Sequence, residues 1–353
     1  MDFSLLQRKQ WLKIYIPEAT CAFGDPYCIH VKKGDPRKLV FYFCGGGASW
    51  NKESAKWPNS PETEAWNHVS LYTICADPLP AMYSIQMDEN NGIHSTGSEN
   101  PMADWSEVMI PYATGDFHTG TGDLSFTAAD GSERILHHHG YLNFQKVLAK
   151  TKELFPALDY LLITGESAGG FAVPALAGDV IDAYPECQDV TVLCDSAMVP
   201  YENWAITARD IWQCPEHISS PVQSDNIVTD WFKALYERHG DRPRYLFTCG
   251  NRDHVLMLFW HYVVDGQFIM EVSYAEAFQK ALKRMVEELK SSIPNFSVYI
   301  HDFMKEQLSP GVLHCIMGNL FYTQGKIDAV SPVEWMLSAM NGTPRDIGLS
   351  LLD

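Results

Sequence analysis

No stretch of the 353 residues is apolar for long enough to span a bilayer. The longest apolar run, Val255 to Val264, is too short and is interrupted by His261. The first ten residues lack a basic segment followed by an apolar one, so they do not read as a signal peptide. No Lys/Arg cluster stands out against a net charge of −18, which makes nucleic acid and anionic membranes poor partners. Internal repeats and low-complexity tracts are lacking too. The nine cysteines are an odd number and do not form a disulfide framework. Cys44, Cys194 and Cys249 sit in or at the ends of apolar runs and read as buried thiols. Cys21 and Cys28 could pair, but their spacing is not that of metal ligands. The expectation is a cytoplasmic protein with no metal, no cofactor, no nucleic-acid partner and no membrane partner. Nothing in the sequence sets an oligomeric state.

What is present is an alternation. Short apolar runs recur at Leu39–Phe43, Val108–Tyr112, Tyr160–Ile163, Val190–Cys194, Tyr245–Cys249 and Ser297–Ile300. Segments of helical periodicity lie between them: Tyr141–Phe155, Ala168–Tyr184, Asp225–Arg238, Tyr274–Leu289 and Pro332–Met340. Continuous apolar strands alternating with helices predict an α/β fold, a mostly parallel, doubly wound sheet with helices on both faces. One domain is expected over residues 1–353. Residues 49–106, rich in Trp, Asn, Pro and Gly, read as an irregular insertion that could wall a cleft. Pro174, two turns into its helix, should bend it or shift its start.

The chemistry is carried by Leu161-Leu-Ile-Thr-Gly165-Glu-Ser167-Ala-Gly169-Gly170. An apolar strand ends in Gly-x-Ser-x-Gly and a small-residue helix follows. This is the strand, sharp turn and helix that presents a nucleophilic serine in α/β-hydrolases. A serine hydroxyl needs a base, and the base needs a carboxylate to orient it. In this architecture the acid and then the histidine follow the serine in the chain. Asp253 leaves the strand Tyr245–Cys249 in a turn, and Asp195, at the end of the preceding strand, is the runner-up. His314 lies in the loop beyond the last strand, whereas His301 lies too close to that strand's end. Two backbone N–H donors should stabilise the oxyanion. One is Ala168, after the nucleophile. The other comes from the turn Gly45-Gly46-Gly47, with Gly47 and Ala48 favoured and Gly46 as the alternative.

Several segments together resemble the pectin acetylesterase family, with its Notum-like carboxylesterases. They are Gly45–Gly47, Asn100-Pro101 with Trp105, Val108 to Gly120, His139 to Asn143, Gly165 to Gly170, Asp195-Ser196, Asp253, His314, Phe321-Tyr322 and Val333 to Trp335. The resemblance runs over most of the chain, and its Ile-Pro-Tyr-x-Thr-Gly-Asp-x-His-x-Gly block is specific. It implies an α/β-hydrolase fold and metal-free serine esterase chemistry with Ser167, Asp253 and His314 as the triad. It also implies that Asp116 and His118 shape the substrate site. Family members often carry Trp-Cys after the glycines, and here Ala48-Ser49 stand instead, so that disulfide is absent. The expected activity is serine-dependent hydrolysis of a carboxylic ester, an O-deacetylase for an acetylated carbohydrate or similar small ester. The alternatives are another acyl group (a long-chain ester, thioester or amide) or a non-catalytic binding protein of the same fold.

Overall fold

Eight strands form one sheet. Their ranges are β1 Trp11–Thr20, β2 Pro26–Lys32, β3 Asp35–Phe43, β4 Trp105–Ile110, β7 Tyr160–Glu166, β8 Asp189–Asp195, β9 Pro243–Gly250 and β10 Phe296–His301. A separate antiparallel hairpin pairs β5, Gly122–Thr127, with β6, Glu133–His138. The computed structural model describes residue 3, residues 6–79 and residues 92–353. The sheet order is β1-β2-β4-β3-β7-β8-β9-β10. All pairs from β4 to β10 are parallel, and β1 and β2 add an antiparallel margin. Each apolar run in the sequence lies in or overlaps one of these strands. Leu39–Phe43, at the heart of β3, is fully buried because helices cover both faces.

The longer helices are α1 Gly140–Leu154, α2 Ala168–Ala183, α3 Ile227–His239, α4 His254–Asp265, α5 Val272–Ser292 and α6 Pro332–Met340. Five of them match the periodic segments. The sixth, α4, is the apolar run Val255–Val264, whose lack of a polar stripe hid it. The margin strands β1 and β2 and the hairpin were also not legible as strands. They alternate polar and apolar residues and lie outside the continuous apolar pattern. Residues 49–79 are mostly irregular, with a short helix at Pro61–Ala65, as the insertion reading expected. Residues 80–91 of that segment lie outside the described residues.

Pro174 does not displace α2, which runs unbroken from Ala168 to Ala183. A residue without an N–H at position 174 leaves the Gly170 carbonyl without its helical donor. The Cys194 thiol on β8 supplies a replacement at 3.2 Å. Among the described residues no cysteine is in a disulfide. Cys21 and Cys28 do not pair with each other. The Ala76 N–H donates to Cys21 Sγ at 3.3 Å, and Cys28 Sγ donates to the Ala76 carbonyl at 3.6 Å. Among the described residues no helix is long and apolar enough to cross a membrane.

The parallel register aligns the carboxyl ends of the strands. Phe43 pairs with Gly165, Glu166 with Asp195, and Gly250 with His301. The loops that leave this edge therefore carry the candidate site residues together. The start of α2 is pressed against the same edge. A Cβ on Gly169 would stand 2.0 Å from the Phe43 carbonyl oxygen. Gly169→Ala should therefore cost about 3 kcal/mol or more, since backbone must move to admit it. Urea unfolding measures this, and a change under about 0.5 kcal/mol, the ordinary surface range, would contradict such close packing.

Candidate active site

Ser167 sits between β7 and α2 with φ 53° and ψ −126°. A non-glycine residue there carries strain of about 1–3 kcal/mol, which the surroundings must hold. They do so by packing and by one hydrogen bond: the Ser167 N–H donates to the Asp195 carbonyl at 2.9 Å.

Asp253 ends the turn after β9 and is fully buried. It is the N-cap of α4, and its Oδ1 accepts from the Val255 and Leu256 amides at 3.1 and 3.0 Å. The same carboxylate receives His314 Nδ1–H, at 2.9 Å from Oδ1 and 2.8 Å from Oδ2. The His314 side chain is 13% exposed. Its Nε2 is buried and has no hydrogen-bond partner among the described residues. Burial works against the imidazolium. The Asp253 carboxylate outweighs it, helped by Asp195 and Glu166, and the His314 pKa lies above its ordinary value. His301 is different: burial pushes its pKa down to about 4, and neither ring nitrogen has a partner among the described residues.

Asp195, the alternative acid, does not hold the histidine ring. Its Oδ2 accepts the Ile316 and Met317 amides at 2.8 and 2.9 Å, and its Oδ1 accepts the Ser196 hydroxyl at 3.0 Å. Ser196 Oγ in turn receives the Cys315 N–H at 3.1 Å. The three residues after His314 are thus hung on the end of β8. Burial, with Glu166 beside it, pushes the Asp195 carboxyl up to about 7. Sequence order put Asp195 near the site but could not show that its partners are backbone amides.

The glycine turn lies next to Ser167. Gly46 and Gly47 have φ of 156° and 78°, and a Cβ on Gly45 would stand 2.7 Å from Ser167 Cβ. The structure corrects one expectation here: the Ala48 N–H is engaged by the Leu71 carbonyl at 2.9 Å and is not free for a substrate. Asp116 and His118 lie behind the turn. The His118 Nε2–H donates to the Cys44 carbonyl at 3.0 Å, just before Gly45. Burial pushes the His118 pKa down to about 4, so its ring is neutral at pH 7. The buried Asp116 carboxylate accepts Thr114 Oγ1–H at 2.6 Å, the His118 and Gly120 amides at 3.1 Å, and the Gly140 amide at 2.8 Å.

A small pocket, about 20 Å³ in volume, adjoins Ser167. Ser167 is its one hydroxyl; aromatic and aliphatic side chains, among them Trp50, Phe117, Phe171, Trp204 and Phe259, form the walls. Phe117 stacks on Phe171 with centroids 4.1 Å apart. These wall residues were not singled out from the sequence. The signals were a helix apolar all round after Asp253 and tryptophans scattered over distant segments, and neither specifies a shared cavity. Trp50, one of these walls, comes from residues 49–106.

No family model and no curated protein sequence matches the chain. Among solved structures, the chain is similar to the Wnt deacylase Notum from Drosophila. The two are 17% identical, the match covers 94% of this chain and 93% of that one, and the TM-score is 0.65. At that identity the likeness is one of fold, and the fold is that of the α/β-hydrolases.

Removing the Asp195 carboxylate should strand two buried amides. Asp195→Ala is expected to cost about 2 kcal/mol or more, and Asp195→Asn, which keeps an acceptor oxygen, should restore most of it. The pH sign follows from the raised carboxyl, about 7 against an ordinary 3.8. The folded state binds this proton more tightly than the unfolded chain, so the group destabilises the fold progressively as pH rises from about 4 to about 7. Asp195→Asn should flatten that part of the stability–pH curve measured by urea unfolding. An unchanged slope would contradict the assignment.

Proposed function

We propose that the protein is a serine carboxylic-ester hydrolase with Ser167, His314 and Asp253 as its triad. The observation that carries this reading is that the loops at one edge of the sheet hold both a strained serine at a strand–helix turn and a histidine whose Nδ1–H is held by a buried carboxylate while its Nε2 has no hydrogen-bond partner among the described residues. In this reading His314 Nε2 takes the Ser167 proton as Oγ attacks the acyl carbon. The tetrahedral oxyanion is received by the amides of Ala168 and of Gly47 or Gly46, each worth about 3 kcal/mol. His314 then gives its proton to the departing alcohol, and water, activated by the same ring, releases the acid from Ser167. Asp253 keeps the ring in the tautomer that leaves Nε2 able to accept.

The pocket bears on the acyl group. Its volume of about 20 Å³ is close to that of one water-sized group, and the aromatic and aliphatic walls close round it, so it fits a short apolar acyl group such as acetyl. The walls offer little to a sugar. The reading therefore stays with a short-chain ester, acetyl first. The name of the Drosophila structure, a deacylase, agrees with acyl chemistry on this fold.

A fluorophosphonate probe should label the wild type at Ser167 and leave Ser167→Ala unlabelled. Labelling that survives the substitution would refute the nucleophile, and a protein that neither labels nor turns over any ester would be a binding protein. Among p-nitrophenyl esters, kcat/KM should be highest for acetate and fall towards medium chains, and a maximum at medium chains would favour the longer-chain reading. The raised His314 pKa sets the acid limb: activity should fall as pH drops through a value above 6.5, because the imidazolium cannot accept the serine proton. Asp253→Asn should lower kcat by about 10⁴-fold through the wrong tautomer, with the fold retained.

A further inference from the structure

On the outer face of the β5–β6 hairpin, three side chains converge. Asp123 and His137 are directly opposed across the strands. His139 follows at the end of β6, where it is the residue before α1. His137 Nδ1 and His139 Nε2 both point at the same oxygen, Asp123 Oδ1, at 2.6 and 2.9 Å. The intervening His138 faces inward, is buried, and pairs with the Thr114 carbonyl at 2.9 Å. The alternation of the strand therefore separates one structural histidine from two that share a solvent-facing site. Asp123 is 54% exposed at its side chain and the two imidazoles are 29% and 23% exposed, so the cluster is accessible.

We propose that Asp123, His137 and His139 form a divalent transition-metal site, with zinc as the best-matched ion. Two imidazoles and one carboxylate suit zinc, nickel and copper, whereas magnesium and calcium prefer all-oxygen shells. The three ligand atoms already lie within 4.8 Å of one another. Zinc bonds of about 2.0–2.1 Å arranged tetrahedrally set donor atoms about 3.3 Å apart. The hydrogen-bonded cluster must open by only about half an ångström to admit the ion. Water completes the shell on the solvent side.

The position gives the site a consequence. His139 adjoins Gly140, whose amide is held by Asp116, the same carboxylate that fixes the turn carrying Phe117 and His118. A metal here would clamp the hairpin to the start of α1, behind one wall of the apolar pocket. This accounts for His137 and His139, which flank the buried His138 where β6 gives way to α1.

The test is zinc titration of the metal-free protein by calorimetry. One ion per chain should bind, and His137→Gln or His139→Gln, which keep side-chain length, should each weaken binding at least tenfold. Asp123→Asn should weaken it as well. Cys75→Ser, at the half-buried thiol, should leave binding unchanged. Cobalt should give a visible band of tetrahedral intensity with no thiolate charge-transfer band. No zinc binding by the wild type, or equal binding by the histidine variants, would overturn the site. Fluorophosphonate labelling of Ser167 should be the same in all these proteins, so the esterase reading and the metal site fail independently.

Discussion

Both halves of the candidate site hang from one residue, Asp195. Its backbone carbonyl holds the Ser167 N–H, and its carboxylate holds the amides of Ile316 and Met317 just beyond His314. A serine after β7 and a histidine after β10 are separated by two intervening strands of the sheet. Asp195, at the end of β8, is the shared anchor that fixes one relative to the other. Buried amides without acceptors are costly, so these bonds hold the loop in place. The cost is a carboxylate kept in a low-dielectric setting, visible in its raised proton affinity.

The other supports of the site also carry two duties each. Asp253 caps α4 and orients His314 with the same carboxylate: Oδ1 accepts the α4 amides, and both oxygens face His314 Nδ1. The helix cap and the carboxylate that holds His314 are therefore one residue, not rival descriptions. α4 then lines the pocket with Leu256 and Phe259, so the element that places the acid also shapes the cavity. His118 is kept neutral by burial and pins the carbonyl before the glycine turn. That fixes the start of the glycine turn from behind.

Much of this was legible in the residues because the parallel strands are continuous apolar runs and Gly165-Glu-Ser-Ala-Gly169 lies between a strand and a helix. Chain order, the turn beside Asp253 and the closeness of His301 to its strand's end favoured Asp253 over Asp195 and His314 over His301. What stayed hidden depends on tertiary partners. The Ala48 amide is lost to Leu71, a residue of the irregular insertion. Pro174 is tolerated because a thiol on a neighbouring strand replaces its missing donor. The pocket walls come from segments far apart in sequence, and no local pattern marks them as neighbours.

The most direct test of the central claim is a crystal structure of the fluorophosphonate adduct. The phosphonyl group should be bonded to Ser167 Oγ, with its oxygen within hydrogen-bond distance of the Ala168 amide and a glycine-turn amide. His314 Nε2 should lie within hydrogen-bond distance of the adduct, with Asp253 on its far side. An adduct on another residue, or a His314 ring turned away while Asp195 still holds its loop, would contradict the claim.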